Sequence, residues 1–120
     1  MAKILVHLTH GPEHPTRAAL AFFMARNALE DGHTVSLFLA GDAVQLMRDA
    51  VLDNLVGLGT GSLREHYDVI VQLGGRFYLS IMSSNARALT AAELAGKPAE
   101  LVPPKMLIQM ALDHDRMFTY

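Results

Sequence analysis

The chain has 120 residues, 51% of them hydrophobic, no cysteine, and a formal net charge of −2 from 10 basic and 12 acidic side chains. That length makes one domain over residues 1–120 the default and can bury an apolar core without disulfide or metal staples. The composition excludes disulfides, thiolate metal sites and thiol catalysis, and it lacks the Lys/Arg clustering of a nucleic-acid surface.

Residues Lys3 to Thr9 read as a buried strand, a nearly continuous run of Ile4, Leu5, Val6 and Leu8. HGPEHP breaks it with Gly11, Pro12 and Pro15. A helix fits residues 16–30, with Ala19, Leu20, Phe23, Met24 and Leu29 close to helical period, and Gly32 in the left-handed position after it. HTVSLFLA is a second strand. Gly41 and Asp42 turn the chain, and Asp42 is expected to cap a helix running to about Asp53. VGLGTGS, with Gly57, Gly59 and Gly61, lacks the Gly-Lys-Ser/Thr ending of a phosphate-binding loop and follows a helix, so it reads as a flexible surface loop.

SLREHYDVIVQLGG is ambiguous. DVIVQL alone looks like a strand, yet Leu63, Tyr67, Ile70 and Val71 fall at helical spacing and Gly74-Gly75 make a helix stop. RFYLS is a short strand, SSNARAL a short helix capped by serines, and Thr90 to Glu93 a capping box. AELV reads as a strand, Pro103 and Pro104 suit the first turn of a helix to about His114, and RMFTY closes the chain as a strand.

The alternation implies βαβ units and a mainly parallel sheet with helices on both faces, and no internal repeat or linker interrupts it. Ligands in such folds bind outside the carboxyl ends of the strands. That edge gathers three turns: His10 to Pro15, Ala40 to Asp42, and Ser80 to Ser84. No apolar run approaches the ~20 residues of a membrane span, and MAKILVHLTH lacks the features of a signal peptide, which points to a cytoplasmic protein with no membrane partner. So apolar a small domain is expected to place some apolar side chains in subunit contacts.

Several motifs, in order, resemble the DsrE/DsrF-like family of sulfur relay. LTHGPEHPTRAALAFFMARNALEDGHTVSLFLAGD is similar to the family's first strand, Gly-Pro loop, alanine-rich helix and second strand. RFYLSIMSSNARAL is similar to its central motif, and DRMFTY to its closing strand. The resemblance covers nearly the whole chain. It implies a three-layer α/β/α sandwich on a five-stranded, mainly parallel sheet, with strands near 3–9, 33–39, 76–80, 99–102 and 116–119 and a helix over 62–73. It also implies assembly as a homotrimer or homohexamer, and a sulfur-relay protein as partner.

Relay members of the family carry a cysteine at the end of the third strand, which takes up sulfane sulfur as a persulfide, followed by Ala-Arg-Gly. Here Ala86 and Arg87 match, Ala88 stands where glycine is common, and Ser80 occupies the cysteine position. A persulfide needs a soft sulfur nucleophile, and a serine hydroxyl cannot form an S–S bond. The resemblance therefore implies a binding or partner subunit without the relay chemistry, and no cofactor.

The candidate site residues follow. Ser80, at the family's cysteine position, is either a retained polar residue or a nucleophile; the second needs a neighbouring histidine and an oxyanion hole, and YLSIM is not the elbow of a hydrolase. Ser83 and Ser84 either cap the following helix or help hold a small anion, which Arg87 would face; Arg87 could equally pair with a carboxylate at a subunit contact. His10 and Gly11 complete the expected crevice, and protonation of the loop histidines would tune anion affinity. His7, His10 and His14 lack the spacing and third ligand of a zinc site, so no metal is expected. An enzyme using Ser80 or a loop histidine, and a structural oligomer with a vestigial site, remain as alternatives.

Overall fold

The computed structural model describes all residues, 1–120. In chain order it runs β1 (Lys3–Leu8), α1 (Pro15–Glu30), β2 (Thr34–Leu39), a 3₁₀ segment (Gly41–Met47), α2 (Asp49–Asn54), β3 (Val56–Gly57), β4 (Gly61–Ser62), α3 (Leu63–Gln72), β5 (Arg76–Ser80), α4 (Ile81–Ala86), a second 3₁₀ turn (Ala91–Leu94), β6 (Ala99–Val102), α5 (Met106–Asp113) and β7 (Arg116–Thr119). Five strands form one sheet in the order β6-β5-β2-β1-β7, every neighbouring pair parallel. The chain thus grows outward from β1 through β2, β5 and β6, then crosses back to lay β7 on the other side of β1.

The two faces of the sheet differ in depth. Ile4, Val6 and Leu8 of β1, Val35, Leu37 and Leu39 of β2, and Phe77 and Leu79 of β5 point to one face and join α1 and α3 in a cluster of 25 buried residues. Phe22 of α1 and Tyr67 of α3 meet Phe77 with ring centroids 5.6 and 5.4 Å away. Deleting a buried ring of this kind costs about 3–5 kcal/mol, so this face carries most of the stability. On the opposite face only Leu5, Phe38, Val102 and Met110 form a buried cluster, beneath α5.

α1 buries Ala18, Ala19, Ala21, Phe22, Ala25 and Leu29, so its alanines let the helix lie close to the sheet. This corrects the expected face: Phe23 is on the rim and exposed, and Leu20 and Met24 are only partly covered. Gly32 adopts φ +91° after the helix, as its position implies. The ambiguous stretch is helical, as the resemblance implies: Leu63, His66, Tyr67 and Ile70 make its buried stripe, and the Ser62 hydroxyl accepts the Glu65 N–H at 3.3 Å.

Two local expectations are corrected. Asp42 caps nothing: the segment Gly41–Met47 is 3₁₀, the chain turns extended at Arg48, and α2 starts afresh at Asp49. The cause is tertiary, because the Asp42 carboxylate is engaged by Arg87, while Arg48 donates to Glu93 Oε1 (2.8 Å) and to the Arg87 carbonyl (2.6 Å). VGLGTGS is also more than a surface loop. It forms the small antiparallel hairpin β3-β4, with Gly57 buried so close to α1 that an added Cβ would lie 2.9 Å from that of Ala19.

Candidate functional site

β1, β2 and β5 end together, so the turns that follow them meet at one edge of the sheet. Gly11 packs so tightly on the second turn that an added Cβ would lie 2.1 Å from the Asp42 carbonyl oxygen. The Gly41 N–H donates to Ser83 Oγ at 2.8 Å, tying the second turn to the third. Arg87 completes the junction: Nε and Nη2 reach Asp42 Oδ1 at 3.0 and 2.9 Å, and Nη1 donates to the Ser83 carbonyl at 3.1 Å.

Ser80 is the last residue of β5 and is buried, 2% exposed. Its hydroxyl accepts the Ser83 N–H at 3.3 Å, so Ser80 is the N-cap of α4. This corrects the expectation that Ser83 and Ser84 cap the helix, which begins earlier, at Ile81, and holds both of them in its interior. The reason is that β5 stays extended to Ser80, leaving that hydroxyl where the helix needs its acceptor. Ser84 Oγ is fully buried with no hydrogen-bond partner in the chain. No histidine is bonded to Ser80, whose one side-chain hydrogen bond is the cap.

Ala88 is the sole non-glycine residue with positive φ, +55°. It closes α4, with Leu89 N–H donating to the Ser84 carbonyl at 2.9 Å. A left-handed residue with a Cβ is strained by roughly 1–2 kcal/mol, which gives a physical reason for glycine at this position in sequences that carry Ala-Arg-Gly.

The histidine of the first turn goes elsewhere. His10, with Thr9, His14, Pro15, Thr16, Arg17, Leu20, Thr119 and Tyr120, lines an open cavity of about 740 Å³ beside β1 and β7, and Ser80 is not part of that lining. The rings of His10 and His14 meet edge to face with centroids 4.9 Å apart. His7 lies on the thinner face of the sheet against Phe38, where burial lowers its pKa from the ordinary imidazole value. No group of three or more His, Asp or Glu is arranged to hold a metal ion.

The expected crevice thus divides in two. Ser80, Ser83 and Arg87 belong to a corner bonded to itself, Gly11 packs on it, Ser84 lies in it with an unpartnered hydroxyl, and His10 belongs to a separate cavity. Sequence reasoning missed Asp42 as the partner of Arg87, and Arg17, Thr119 and Tyr120 as neighbours of His10. Arg17 carried one signal: a cation in the first turn of a helix that has no acid there, against the usual electrostatic preference.

No helix is long and apolar enough to cross a membrane. The fold is similar over the full length of both chains to that of the ychN protein from E. coli, with a TM-score of 0.80 at 18% identity. It is also similar to that of a conserved protein of unknown function, BT1422 from Bacteroides thetaiotaomicron, with a TM-score of 0.72 at 11% identity over 99% of this chain and 95% of that one. No curated protein matches the sequence significantly. The DsrE/DsrF-like family matches residues 2–120. With that match over nearly its whole length and the parallel five-stranded sheet, the chain belongs to the DsrE/DsrF-like family.

Proposed function

We propose that this protein is a cytoplasmic, homo-oligomeric binding or partner subunit in sulfur trafficking, one that does not itself carry sulfur. The observation that carries the reading is Ser80: a hydroxyl at the carboxyl end of β5, capping α4, in a family whose relay members place a thiol at that position. On this reading the surroundings of a carrier residue are kept, while the atom that would form the S–S bond is replaced.

Exposed apolar side chains support self-association into a trimer or hexamer. Ile108 and Leu112 project from α5, 66% and 82% exposed, and Met117 of β7 lies on the same thinly covered face of the sheet. Met82, on α4 beside the Ser80 corner, is 68% exposed and suits contact with a relay protein or a second subunit.

The test is Ser80→Cys. Its thiolate would attack the outer sulfur of thiosulfate, forming a cysteine persulfide and releasing sulfite. A gain of about one sulfur mass (~32 Da) on the intact protein is expected. An inert cysteine would remove the argument from retained architecture and favour a vestigial corner in a structural oligomer. Calorimetry with sulfite and thiosulfate, together with affinity capture of relay proteins, addresses the unaltered chain, and failure of both would overturn the proposed role.

A further inference from the structure

The cavity beside β1 and β7 lies at the one place where the strand order reverses. β1 sits between β2, which follows it outward, and β7, which arrives last from the opposite direction. In open α/β sheets the crevice outside the carboxyl ends of the strands at such a switch point is the usual ligand site. Here it is bounded by Thr9 and His10 after β1, by Thr119 and Tyr120 at the end of β7, and by the first turns of α1.

Its lining combines basic and apolar side chains. His10, His14 and Arg17 line it, and no carboxylate side chain does. Arg17 forms no ion pair, although four of the other arginines do. The acid on the loop, Glu13, accepts the Gly11 N–H at 2.9 Å. His14 is the N-cap of α1 but makes no side-chain capping bond, so the amides of the first turn are left for another acceptor. Arg17 therefore stands at the positive end of a 16-residue helix with no acid in its first turn and no ion-pair partner, an arrangement that an anion would relieve. Pro15, Leu20 and the Tyr120 ring supply an apolar wall. The volume of about 740 Å³ is within the range of small-molecule sites and far exceeds what an inorganic anion needs.

We propose that this cavity binds a small organic phosphomonoester, with the phosphate held by His10, His14, Arg17 and the first-turn amides of α1, and the organic group against Leu20 and Tyr120. The site is separate from the Ser80 corner and independent of the sulfur-trafficking reading. Burial raises the pKa of the Tyr120 phenol, which stays a neutral hydrogen-bond donor at the rim.

The experiment is an amide-resolved NMR titration of the full chain at fixed ionic strength with phenyl phosphate, inorganic phosphate and phenol. Phenyl phosphate is expected to saturate shifts at residues 9–20 and 119–120, with inorganic phosphate binding there more weakly and phenol not at all. The double variant His14→Gln/Arg17→Gln should weaken phenyl phosphate about 10-fold or more, since charge-assisted contacts are lost. Both side chains are exposed, and an unchanged melting curve would show that the fold is kept. No saturable shift, shifts confined to residues 80–87, or undiminished binding by the folded double variant would each overturn the proposal. Equal affinity for inorganic phosphate would overturn the phosphomonoester assignment and leave an oxyanion site. None of these outcomes bears on the Ser80→Cys test.

Discussion

Two corners at the carboxyl edge of one sheet meet their polar groups in opposite ways. Around Ser80 most donors and acceptors are used internally, in the cap to Ser83, the Gly41 N–H on Ser83 and the Arg87–Asp42 pair, and the Ser84 hydroxyl is buried without a partner. Beside β7 the side chains of His10, His14 and Arg17 line an open cavity, and Arg17 has no ion-pair partner. The first corner is recognisable in sequence because a family motif runs through it. The second draws on both ends of the chain and has no motif. The lesson is that a site's most recognisable residues need not surround the space where a ligand fits.

Three substitutions probe how firmly the first corner is closed. The largest effect is expected from Gly11→Ala. Its Cβ would sit 2.1 Å from the Asp42 carbonyl oxygen and 2.7 Å from its carbon, both backbone atoms that cannot swing aside. A loss of about 1–3 kcal/mol in urea unfolding is expected, as for other overpacked sites. A loss below about 0.5 kcal/mol, the range of ordinary surface changes, would mean that the first two turns are not locked together.

Ser80→Ala should cost about 1 kcal/mol, the usual worth of a lost N-cap, read in the same unfolding experiment. An unchanged midpoint would show that Ser80 contributes no cap and would reopen its hydroxyl to another role. The smallest effect has the opposite sign. Ala88→Gly relieves the strain of φ +55° but adds backbone freedom to the unfolded chain, for a net gain of roughly 0.5 kcal/mol. Destabilisation by this change would show that the Ala88 methyl packs usefully and that the corner tolerates its strain for that reason.

Most of the fold was legible in the sequence. The five sheet strands are where RFYLS, AELV, RMFTY and the two apolar runs near the start placed them, because short apolar runs between strong breakers leave a parallel strand few other registers. Residues 62–73 were not legible from local pattern: Leu63, Tyr67, Ile70 and Val71 fall at helical spacing while DVIVQL alone reads as a strand, and the family resemblance resolved them. The helix form prevails because Ser62 caps it and its Leu63–Tyr67–Ile70 stripe packs on α1 and the sheet. The face of α1 was misread because alanines carry the buried stripe, and a small residue that admits close approach leaves a weaker signal than an exposed Phe23.

What the sequence by itself determined was the α/β class, the strands, the family motif and the chemistry denied by the absence of any thiol. All of these follow from residue type and local period. Only the tertiary structure decided what each polar group does. Asp42 serves Arg87 instead of a helix, since that partner lies 45 residues away. Ser80 takes the cap, since β5 runs to it before α4 begins. His10 joins Arg17 and Tyr120, since β7 returns to the far side of β1. Hydrogen bonds and close ion pairs form only at contact, so their partners are fixed by which strands lie side by side, and that is a property of the whole chain.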